Sequence, residues 1–262
     1  MNSDNITLQT KHTLPILYWD RFSDRLSAGV TTRQKGSSAR PYDSLNLGTH
    51  VGDASTAVTK NYQILAEELQ CNVNDFVTTK QVHETTIMQA DKMINDEEAD
   101  GLWTDKHDSV IGMVFADCIP LVFYAPEAHR AAVLHAGWRG TVAGIGSKLL
   151  ERWAQDDVSQ TEVYAFIGPG ICRSCYQVNE DVVAQVPKAL RRQTVTSLEN
   201  DQYLLDLPTL NKELLVEAGM RKDHIDTTTY CTKCDSEFFF SYRGSQRTGR
   251  HMAFAKLCTK GG

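Results

Sequence analysis

The segment VIGMVFADCIPLVFYAPEAHRAAVLHAGWRG, residues 110–140, holds the pattern that decides the fold. Short apolar runs rich in Val, Ile, Phe and Tyr predict three β-strands, at Val110–Phe115, Leu121–Tyr124 and Ala131–Leu134. A helix is predicted after them, over Gly140–Ala154, because apolar residues recur there at helical spacing. Since strands follow strands with no helix between them, the pattern favours an α+β fold over a doubly wound parallel sheet.

The flanking sequence continues this mixture of strands and helices. Further strands are predicted at Phe76–Val82, Val163–Ile167, Tyr203–Leu205, Ile225–Thr229 and His251–Ala255. Two further helices are predicted, one N-capped by Asp53 with Val58, Tyr62, Leu65 and Leu69 on one face, the other over Leu207–Ala218. Residues 33–49, rich in Gly, Ser and Asn, predict a long ordered loop. We therefore expect mixed β-sheets packed with helices in a single compact domain, residues 1–262.

The composition of the 262 residues is that of an ordinary globular protein, with 41% apolar residues. A net charge of −6 argues against a broad surface for nucleic acid or anionic membranes. No run approaches the roughly 18 to 20 apolar residues of a membrane span, and the polar start lacks a secretory-signal pattern. We therefore expect a cytoplasmic protein that binds neither nucleic acid nor membranes, with its seven cysteines reduced.

Three reactive side chains stand where predicted strands stop. They are His83 after Gln81-Val82, Cys118 after Ala116-Asp117, and His135 at the start of HAGWRG. Strand ends that meet at one rim commonly assemble binding sites. Two imidazoles and a thiolate suit zinc, and three protein ligands leave a fourth position open for water or substrate.

The spacing of these three residues leaves other interpretations open. His83 and Cys118 are 35 residues apart, and Cys118 and His135 are 17 apart, neither of which is a local metal motif. Cys118 can instead be a buried core thiol beside two hydrogen-bonded histidines, because free cysteine is among the most buried residue types. A third interpretation is a nucleophilic Cys118 thiolate with either histidine as its base.

The turn at residues 135–140 suggests an anion site. A strand, a Gly-containing turn and a helix leave backbone N–H groups free at the helix start, and Arg139 offers a planar fork of donors. The alternative is a tight connection made by Gly137 and Gly140, with Arg139 solvated.

Other cysteines and arginines carry weaker signals. Cys172/Cys175 and Cys231/Cys234 are two Cys-x-x-Cys pairs that can be read as a zinc site, a redox dithiol, or incidental core and loop cysteines. The 55 residues between the pairs exceed the roughly 15 to 20 of a zinc ribbon, which favours the incidental interpretation. A basic cluster at Arg243, Arg247 and Arg250 points to a solvated hairpin or an anion-binding turn. The nearby aromatic residues are expected to pack in the core, with one or two open to stacking on a planar base; they are Tyr230, Phe238, Phe239, Phe240 and Tyr242.

Together the ordered segments resemble the laccase-domain family, which is YfiH-like and is also named multicopper polyphenol oxidase or peptidoglycan editing factor. The matching segments are GVTTRQKG (29–36), PYDSLNLGTHVGD (41–53), QVH (81–83), ADGLWTD (99–105), ADCIPL (116–121), HAGWRG (135–140), IGPGI (167–171), CYQV (175–178), FFSYR (239–243) and RTGR (247–250). The resemblance implies a mixed α+β fold similar to that of the cytotoxic necrotizing toxins. It also implies that His83, Cys118 and His135 bind one zinc ion.

The activity that the resemblance implies is that of a purine nucleoside phosphorylase. Such an enzyme cleaves adenosine, inosine and S-methyl-5'-thioadenosine with phosphate, giving the base and (methylthio)ribose 1-phosphate, with an adenosine deaminase side activity. The expected small-molecule partners are therefore a nucleoside and phosphate. We expect Arg139 with the helix start after Gly140, and Arg33, to contact phosphate. Asn46 and Gln81, on loops beside the predicted ligands, are expected to contact sugar or base.

Three rival functions remain open at this stage. A copper polyphenol oxidase is disfavoured, because one Cys–His–His site cannot hold several copper centres and none of the eight histidines forms a His-x-His pair. Copper can nevertheless replace zinc at such ligands, as the Irving–Williams order predicts. The family name also implies an editing hydrolase or amidase of peptidoglycan precursors that uses Cys118 or zinc-bound water. A non-enzymatic adaptor that merely holds a metal is the last alternative.

Overall fold

The predicted strand runs assemble into two large β-sheets flanked by helices. The structure is a computed structural model and describes residues 3–93 and 97–258. The strands of this part of the chain are β1 (Ile6–Thr10), β2 (Pro15–Trp19), β3 (Leu26–Thr31), β4 (Phe76–Val77), β5 (Ile87–Gln89), β6 (Gly101–Thr104), β7 (Val110–Phe115), β8 (Ile119–Ala125), β9 (Arg130–Ala136), β10 (Tyr164–Ile167), β11 (Gln177–Asn179), β12 (Val195–Ser197), β13 (Gln202–Leu205), β14 (Ile225–Thr227) and β15 (His251–Leu257). The α-helices are α1 (Ser55–Glu68), α2 (Trp138–Val142), α3 (Ile145–Ala154), α4 (Glu180–Val183), α5 (Lys188–Thr194) and α6 (Leu207–Glu217).

The two large sheets are mixed, with six strands each. The first has the order β1-β2-β3-β15-β7-β4 and the second β14-β10-β8-β9-β6-β5, while β11, β13 and β12 form a small separate sheet. Most neighbours are antiparallel, but β4 pairs with β7 and β14 pairs with β10 in parallel. The prediction of an α+β fold with mixed sheets is confirmed.

Alternation along the strands explains how the sheets stack. On β8, Val122 and Tyr124 face a core between the two sheets, whereas Leu121 and Phe123 face the helical side. Because neighbouring side chains on a strand point to opposite faces, a strand that is apolar throughout is buried on both sides. Helices α3 and α6 cover the outer face of the second sheet, and α1 covers the outer face of the first.

The strand predictions are confirmed at β7, β8, β9, β10, β13, β14 and β15, apart from shifts at their ends. The predicted strand Phe76–Val82 ends at Val77, because the later backbone is recruited elsewhere. The N–H of Val82 donates to the carboxylate of Asp100 instead of to a neighbouring strand. Strands β1–β3 were not predicted, although they supply half of the first sheet.

Two helix predictions need correction at their starts. The predicted helix Gly140–Ala154 is instead two helices, α2 and α3, separated at Gly144, whose φ of 73° lies in the left-handed region that glycine tolerates. Helix α1 begins at Ser55 after Ala54, so Asp53 does not cap it. The Asp53 carboxylate accepts from the Asn46 side chain and the Ala54 N–H instead. The predicted helix Leu207–Ala218 is confirmed as α6, where Asp206 accepts from the N–H of Thr209.

No helix in residues 3–93 and 97–258 is long and apolar enough to cross a membrane.

Candidate metal centre and active site

Three side chains, two on connections between the sheets and one on a strand of the second sheet, meet at one point. His83 lies on the loop after β4, Cys118 in the tight connection between β7 and β8, and His135 near the end of β9. One ligand atom from each residue lies within 4.8 Å of the others. The pairing of β8 with β9 sets two of these positions, because Ile119 lies opposite Ala136. The three predicted ligands, hereafter the triad, are thus brought together by strand register and one loop.

Asp100 organises the triad from behind and is fully buried. Its Oδ1 lies 2.7 Å from Nδ1 of His135 and also accepts the N–H of His83 at 3.0 Å. Its Oδ2 accepts the N–H groups of Val82 and Glu84 at 3.1 and 2.8 Å. One carboxylate therefore fixes the ring of His135 and the backbone that carries His83. A carboxylate behind a histidine in this way orients the ring for metal binding and fixes its tautomer.

The electrostatics of the triad favour a thiolate. Burial by itself raises the pKa of the Cys118 thiol, but the charge and hydrogen bond of His135, with a hydrogen bond from His83, lower it to about 6. Burial by itself lowers the pKa of His135, but Cys118 and Asp100 raise it to about 9. The thiolate is the form of cysteine that binds metals.

Gly137 closes one side of the triad with bare backbone. A Cβ built at this position meets Cys118 Sγ and His83 Nδ1, each at 3.1 Å. Both atoms are potential metal ligands, so a side chain here would press on the atoms that converge. This glycine is required by close approach, since its φ of −67° is ordinary.

The backbone beside two triad residues is in an uncommon conformation. His83 has φ 62° and Asp117, which precedes Cys118, has φ 94°. Non-glycine residues with positive φ cost free energy and persist where the surroundings fix them, often at functional sites. Here Asp100 holds the His83 backbone, and the Asp117 carboxylate accepts from Thr232 Oγ1 at 2.7 Å and from the Arg243 N–H at 2.5 Å.

A cavity of about 520 Å³ opens in front of the triad. This volume lies within the range of about 300 to 1,000 Å³ typical of small-molecule sites. All three triad residues line it, together with the aromatic side chains of Trp138, Tyr176 and Tyr242. The cavity thus combines a possible metal centre with flat apolar surfaces on which a planar base can stack.

The described residues that line the cavity carry more positive than negative charge. Arg139, Arg243 and Arg250 line the cavity, and the one carboxylate among its described lining residues is Asp117. The Arg139 guanidinium lies over the Trp138 ring at 4.4 Å, and that of Arg243 over the Tyr176 ring at 5.2 Å. Arginines held in this way beside a cavity suit an anionic ligand such as phosphate.

Of the four residues predicted to contact phosphate, sugar or base, two line the cavity and two do not. Arg139 and Gln81 line it, although the Gln81 side-chain amide is bonded to the backbone of Val114 at both ends. Asn46 is fully buried outside the wall, bonded to Gly48, Asp53 and Arg250. Arg33 lies at a different surface pocket and donates to the carbonyl of Asp43. These two residues organise loops instead of facing the cavity.

The helix start that was predicted to bind an anion lies at a different residue, and its helix is shorter than predicted. Helix α2 begins at Trp138, two residues before the expected position at Gly140, and ends at Val142. A five-residue helix carries little aligned dipole, so the Arg139 side chain is the remaining contribution of this turn.

Sequence reasoning missed the carboxylate behind the triad and some of the residues that line the cavity. Asp100 gave no periodic signal, and His50 lies far from the triad in sequence. Partial burial, followed by the charge of Arg250, lowers the pKa of His50. Arg243 and Arg250 had been noted as a basic cluster, but nothing local joined that cluster to the triad.

Comparison with known proteins places the chain in a family. Residues 27–258 match the family model described as "Multi-copper polyphenol oxidoreductase laccase", so the chain belongs to this laccase-like family. The family resemblance drawn from the motifs is confirmed.

Three relatives of the chain are named for reactions on nucleosides. "Purine nucleoside phosphorylase YlmD" of Bacillus subtilis (strain 168) is 32% identical over 266 residues, with 95% of each chain covered. The protein of the same name from Geobacillus stearothermophilus is 36% identical over 242 residues, covering 87% of this chain and 88% of the relative. "Adenosine deaminase RL5", from an unknown prokaryotic organism, is 32% identical over 231 residues, covering 83% and 88%.

A solved structure agrees with this sequence similarity. The crystal structure of YlmD from Geobacillus stearothermophilus superposes with a TM-score of 0.90 at 33% identity, covering 98% of this chain and 100% of that one.

Proposed function

We propose that this protein is a zinc-dependent purine nucleoside phosphorylase that cleaves adenosine, inosine and S-methyl-5'-thioadenosine with phosphate. The observation that carries the proposal is the joint lining of one cavity by the His–Cys–His triad and three arginines. The names of the YlmD relatives support the same reaction class. A nucleoside and phosphate are its expected small-molecule partners.

The donor set of the triad fits zinc. Its two imidazole nitrogens and one sulfur lie within 4.8 Å of one another, and Gly137 leaves the space between Cys118 Sγ and His83 Nδ1 clear. His83, Cys118 and His135 would hold the ion, leaving a position open toward the cavity. A bound zinc ion supplies Lewis acidity at this end of the cavity. Copper can replace zinc at these ligands. The protein would still not be a multicopper oxidase, which needs several imidazole-rich copper sites, because the triad is the one group of three or more converging ligands in the described residues that contains imidazole.

The arginines account for the second substrate. In phosphorolysis, a phosphate oxygen forms a bond to C1′ of the sugar while the bond from C1′ to the base breaks. The bonding electron pair leaves with the base, which is then protonated. Arg139, Arg243 and Arg250 hold phosphate by charge and by directed N–H donors. Their stacking on Trp138 and Tyr176 limits the positions open to two of the guanidinium groups, which lowers the entropy lost on binding.

The aromatic side chains account for the base. Tyr242, with 52% of its surface exposed, and Tyr176 lie on the same wall as the arginines. Stacking on such rings binds any purine face, which supports the proposed acceptance of both adenosine and inosine. Gln81 contributes to the wall by holding Val114 in place.

The test is a phosphate-dependent assay with inosine. Wild-type protein is expected to release hypoxanthine and ribose 1-phosphate only when phosphate is present. Replacing Arg139 by Ala is expected to raise the KM for phosphate by about tenfold or more, as loss of a charged hydrogen bond predicts. Arg247→Ala is the matched control, since Arg247 donates to the Tyr42 hydroxyl and is not among the cavity-lining residues.

Two outcomes of this assay contradict the proposal. Base release at the same rate without phosphate indicates a hydrolase. The absence of base release, combined with turnover of a serine-bearing peptidoglycan precursor, supports the editing hydrolase or amidase.

Adenosine deamination is a second activity favoured by a specific observation, the 32% identity to the relative named adenosine deaminase. Conversion of adenosine to inosine without phosphate, lost in Cys118→Ala, is its expected signature. Zinc held by His83, Cys118 and His135 would supply the Lewis acidity for hydrolytic deamination, in which water replaces the amino group at C6 of adenine and ammonia leaves.

A further inference from the structure

Four cysteines outside the triad converge at a second point. Cys172, Cys175, Cys231 and Cys234, hereafter the four-cysteine cluster, have sulfur atoms that all lie within 4.8 Å of one another. The sulfurs of Cys175 and Cys234 are 3.4 Å apart. None of the four lines the cavity of the triad. Along the chain the two pairs are 55 residues apart, which had argued against a shared site.

The sheet topology explains why that separation is irrelevant. Strands β10 and β14 are parallel neighbours, with Ala165 opposite Ile225. Each Cys-x-x-Cys pair follows one of these strands, so both pairs leave the sheet at the same edge. The alignment continues beyond the strands, because Gly170 forms a bridge with Cys231 and accepts the Thr232 N–H at 3.0 Å. Two local motifs are thereby placed face to face.

Local hydrogen bonds arrange the loops around the sulfurs. The N–H of Cys172 points at Sγ of Cys231 at 3.3 Å. The carboxylate of Asp235 accepts the Cys231 N–H at 2.7 Å, and the Asp235 N–H donates back to the Cys231 carbonyl at 2.8 Å. The second pair therefore lies on a closed turn, with one backbone donor aimed at a sulfur. A donor to sulfur stabilises the thiolate form.

The spacing of the sulfurs matches a tetrahedral ion. Four sulfurs at about 2.3 Å from a shared zinc ion lie roughly 3.8 Å apart. The sulfurs of Cys175 and Cys234 are 3.4 Å apart and all four lie within 4.8 Å of one another, so the cluster has the size of such a set. All four cysteines are free thiols. A four-sulfur tetrahedral set is typical of zinc or iron, and of the two, zinc is the usual ion of a site built from paired Cys-x-x-Cys loops.

We propose that Cys172, Cys175, Cys231 and Cys234 bind a zinc ion as a second, structural metal site. Four protein ligands complete the tetrahedron, so this ion has no open position and takes no part in chemistry. Cys231 is buried and Cys234 is exposed, so the ion lies at the surface and joins two loops.

Those loops also build the cavity wall beside the triad. Ile171 and Tyr176 lie on either side of the first pair and line the cavity, and Tyr242 and Arg243 follow the second. Thr232, next to Cys231, donates to the carboxylate of Asp117, which precedes Cys118. The second zinc ion thus stabilises the part of the cavity wall that faces the substrate. This consequence rests on the proposed function, whereas the metal site itself does not.

The first experiment counts metal in the intact protein. Protein made with zinc and purified with a reductant is analysed for zinc and iron by plasma mass spectrometry. The expected contents are about two zinc per chain in wild type, about one in Cys118→Ala, and about one in Cys175→Ser/Cys234→Ser. The matched control is Cys71→Ser/Cys258→Ser, which removes two cysteines outside both groups and is expected to keep both ions.

A second measurement keeps the proposal testable if the double serine variant fails to fold. Cys118→Ala retains the four-cysteine cluster, so its remaining zinc is expected to show four sulfur neighbours near 2.3 Å by X-ray absorption. Cobalt bound to the same variant is expected to give the visible spectrum of a tetrahedral all-thiolate site.

Three results overturn the proposal. One is a wild-type protein with a single zinc that Cys118→Ala loses completely. Another is an equivalent of iron in place of the second zinc. The third, measured on protein purified without reductant, is a mass lower by four hydrogens than that of the fully reduced chain, which identifies two disulfides instead of a metal.

Discussion

The triad and the four-cysteine cluster are two groups of converging ligands that differ in number, chemistry and surroundings. The triad offers two imidazoles and one thiolate at a cavity of about 520 Å³. The cluster offers four thiolates between two loops, away from that cavity. Three ligands leave a position open for substrate, whereas four close the ion off. Ligand count and access, more than the identity of the metal, therefore separate a reactive centre from a structural one.

The two sites also differ in how the fold holds them. A buried carboxylate, Asp100, fixes the triad through one ring and three consecutive backbone N–H groups. The four-cysteine cluster is fixed by its own backbone turns, through Asp235 and the bridge from Gly170 to Cys231. The first arrangement orients ligands for chemistry, and the second joins neighbouring segments of chain.

The largest expected effect comes from Cys118→Ala. Nucleoside phosphorolysis is expected to fall by about 1,000-fold or more, because the Lewis acid and its thiolate ligand are lost together. The melting temperature and the second zinc ion are expected to remain. Chromatographic assay of base release, beside metal analysis, checks both. If the Cys118→Ala variant keeps its activity and a stoichiometric zinc ion at the triad, the triad is not the reactive centre and the contrast between the two sites fails.

Asp100→Asn is expected to have the next largest effect. The variant keeps much of the shape but weakens the acceptor for His135 Nδ1, and loss of such a partner typically costs about 10- to 100-fold in metal affinity or activity. Zinc affinity is measured by competition with a chromophoric chelator. Glu98→Gln is the matched control, since the Glu98 side chain is exposed and forms a surface ion pair with Lys80. Equal effects in both variants would mean that Asp100 has no special relation to the triad.

Chelation is expected to separate the two ions in time. Zinc at the triad has three ligands, one of them on the exposed His83, whereas the cluster holds its ion with four thiolates. A bidentate chelator is therefore expected to remove the ion at the triad at least about tenfold faster than the ion at the four-cysteine cluster. Activity is expected to be lost in the fast phase. Stopped-flow absorbance at an indicator dye follows the release. A single phase that removes both ions together would argue against the distinction.

The smallest effect on activity is expected from Cys175→Ser/Cys234→Ser. Loss of the second ion is expected to lower the melting temperature by about 5 °C or more, while kcat/KM changes by no more than about fivefold. Calorimetry and the phosphorolysis assay measure the two quantities on one preparation. An activity loss as large as that of Cys118→Ala, with an unchanged melting temperature, would reverse the roles given to the two sites.

The sequence predicted the parts of the fold whose signals are local. Strands β7, β8 and β9 follow from short apolar runs, and helix α6 lies where the helix over Leu207–Ala218 was predicted. The break between α2 and α3 was missed, because the apolar spacing continues across Gly144 while its backbone reverses to positive φ. Asp53 resembled a helix cap, but Asn46 competes for its carboxylate.

The candidate site could be predicted only in part, because only some of its residues carry a local signal in the sequence. The triad stood out because each reactive residue ends an apolar run, and the family motifs named the same three. Arg33 and Asn46 lie in the conspicuous loop over residues 33–49, yet their side chains bond to the backbone of that loop and of later segments at Ser236 and Arg250, and do not line the cavity. Asp100 was missed because its importance lies in contacts with residues 16 to 35 positions away.

The sequence by itself determined the mixed α+β plan, because periodicity and residue type act over a few neighbours, and its ordered motifs identified the family and predicted the three triad residues. The tertiary structure alone decided which arginines face the triad, which carboxylate supports it, and that two distant Cys-x-x-Cys pairs meet. Those outcomes depend on strand order and register. The parallel pairing of β10 with β14 brings Gly170 to Cys231 across 61 residues of chain, and no local pattern carries that information.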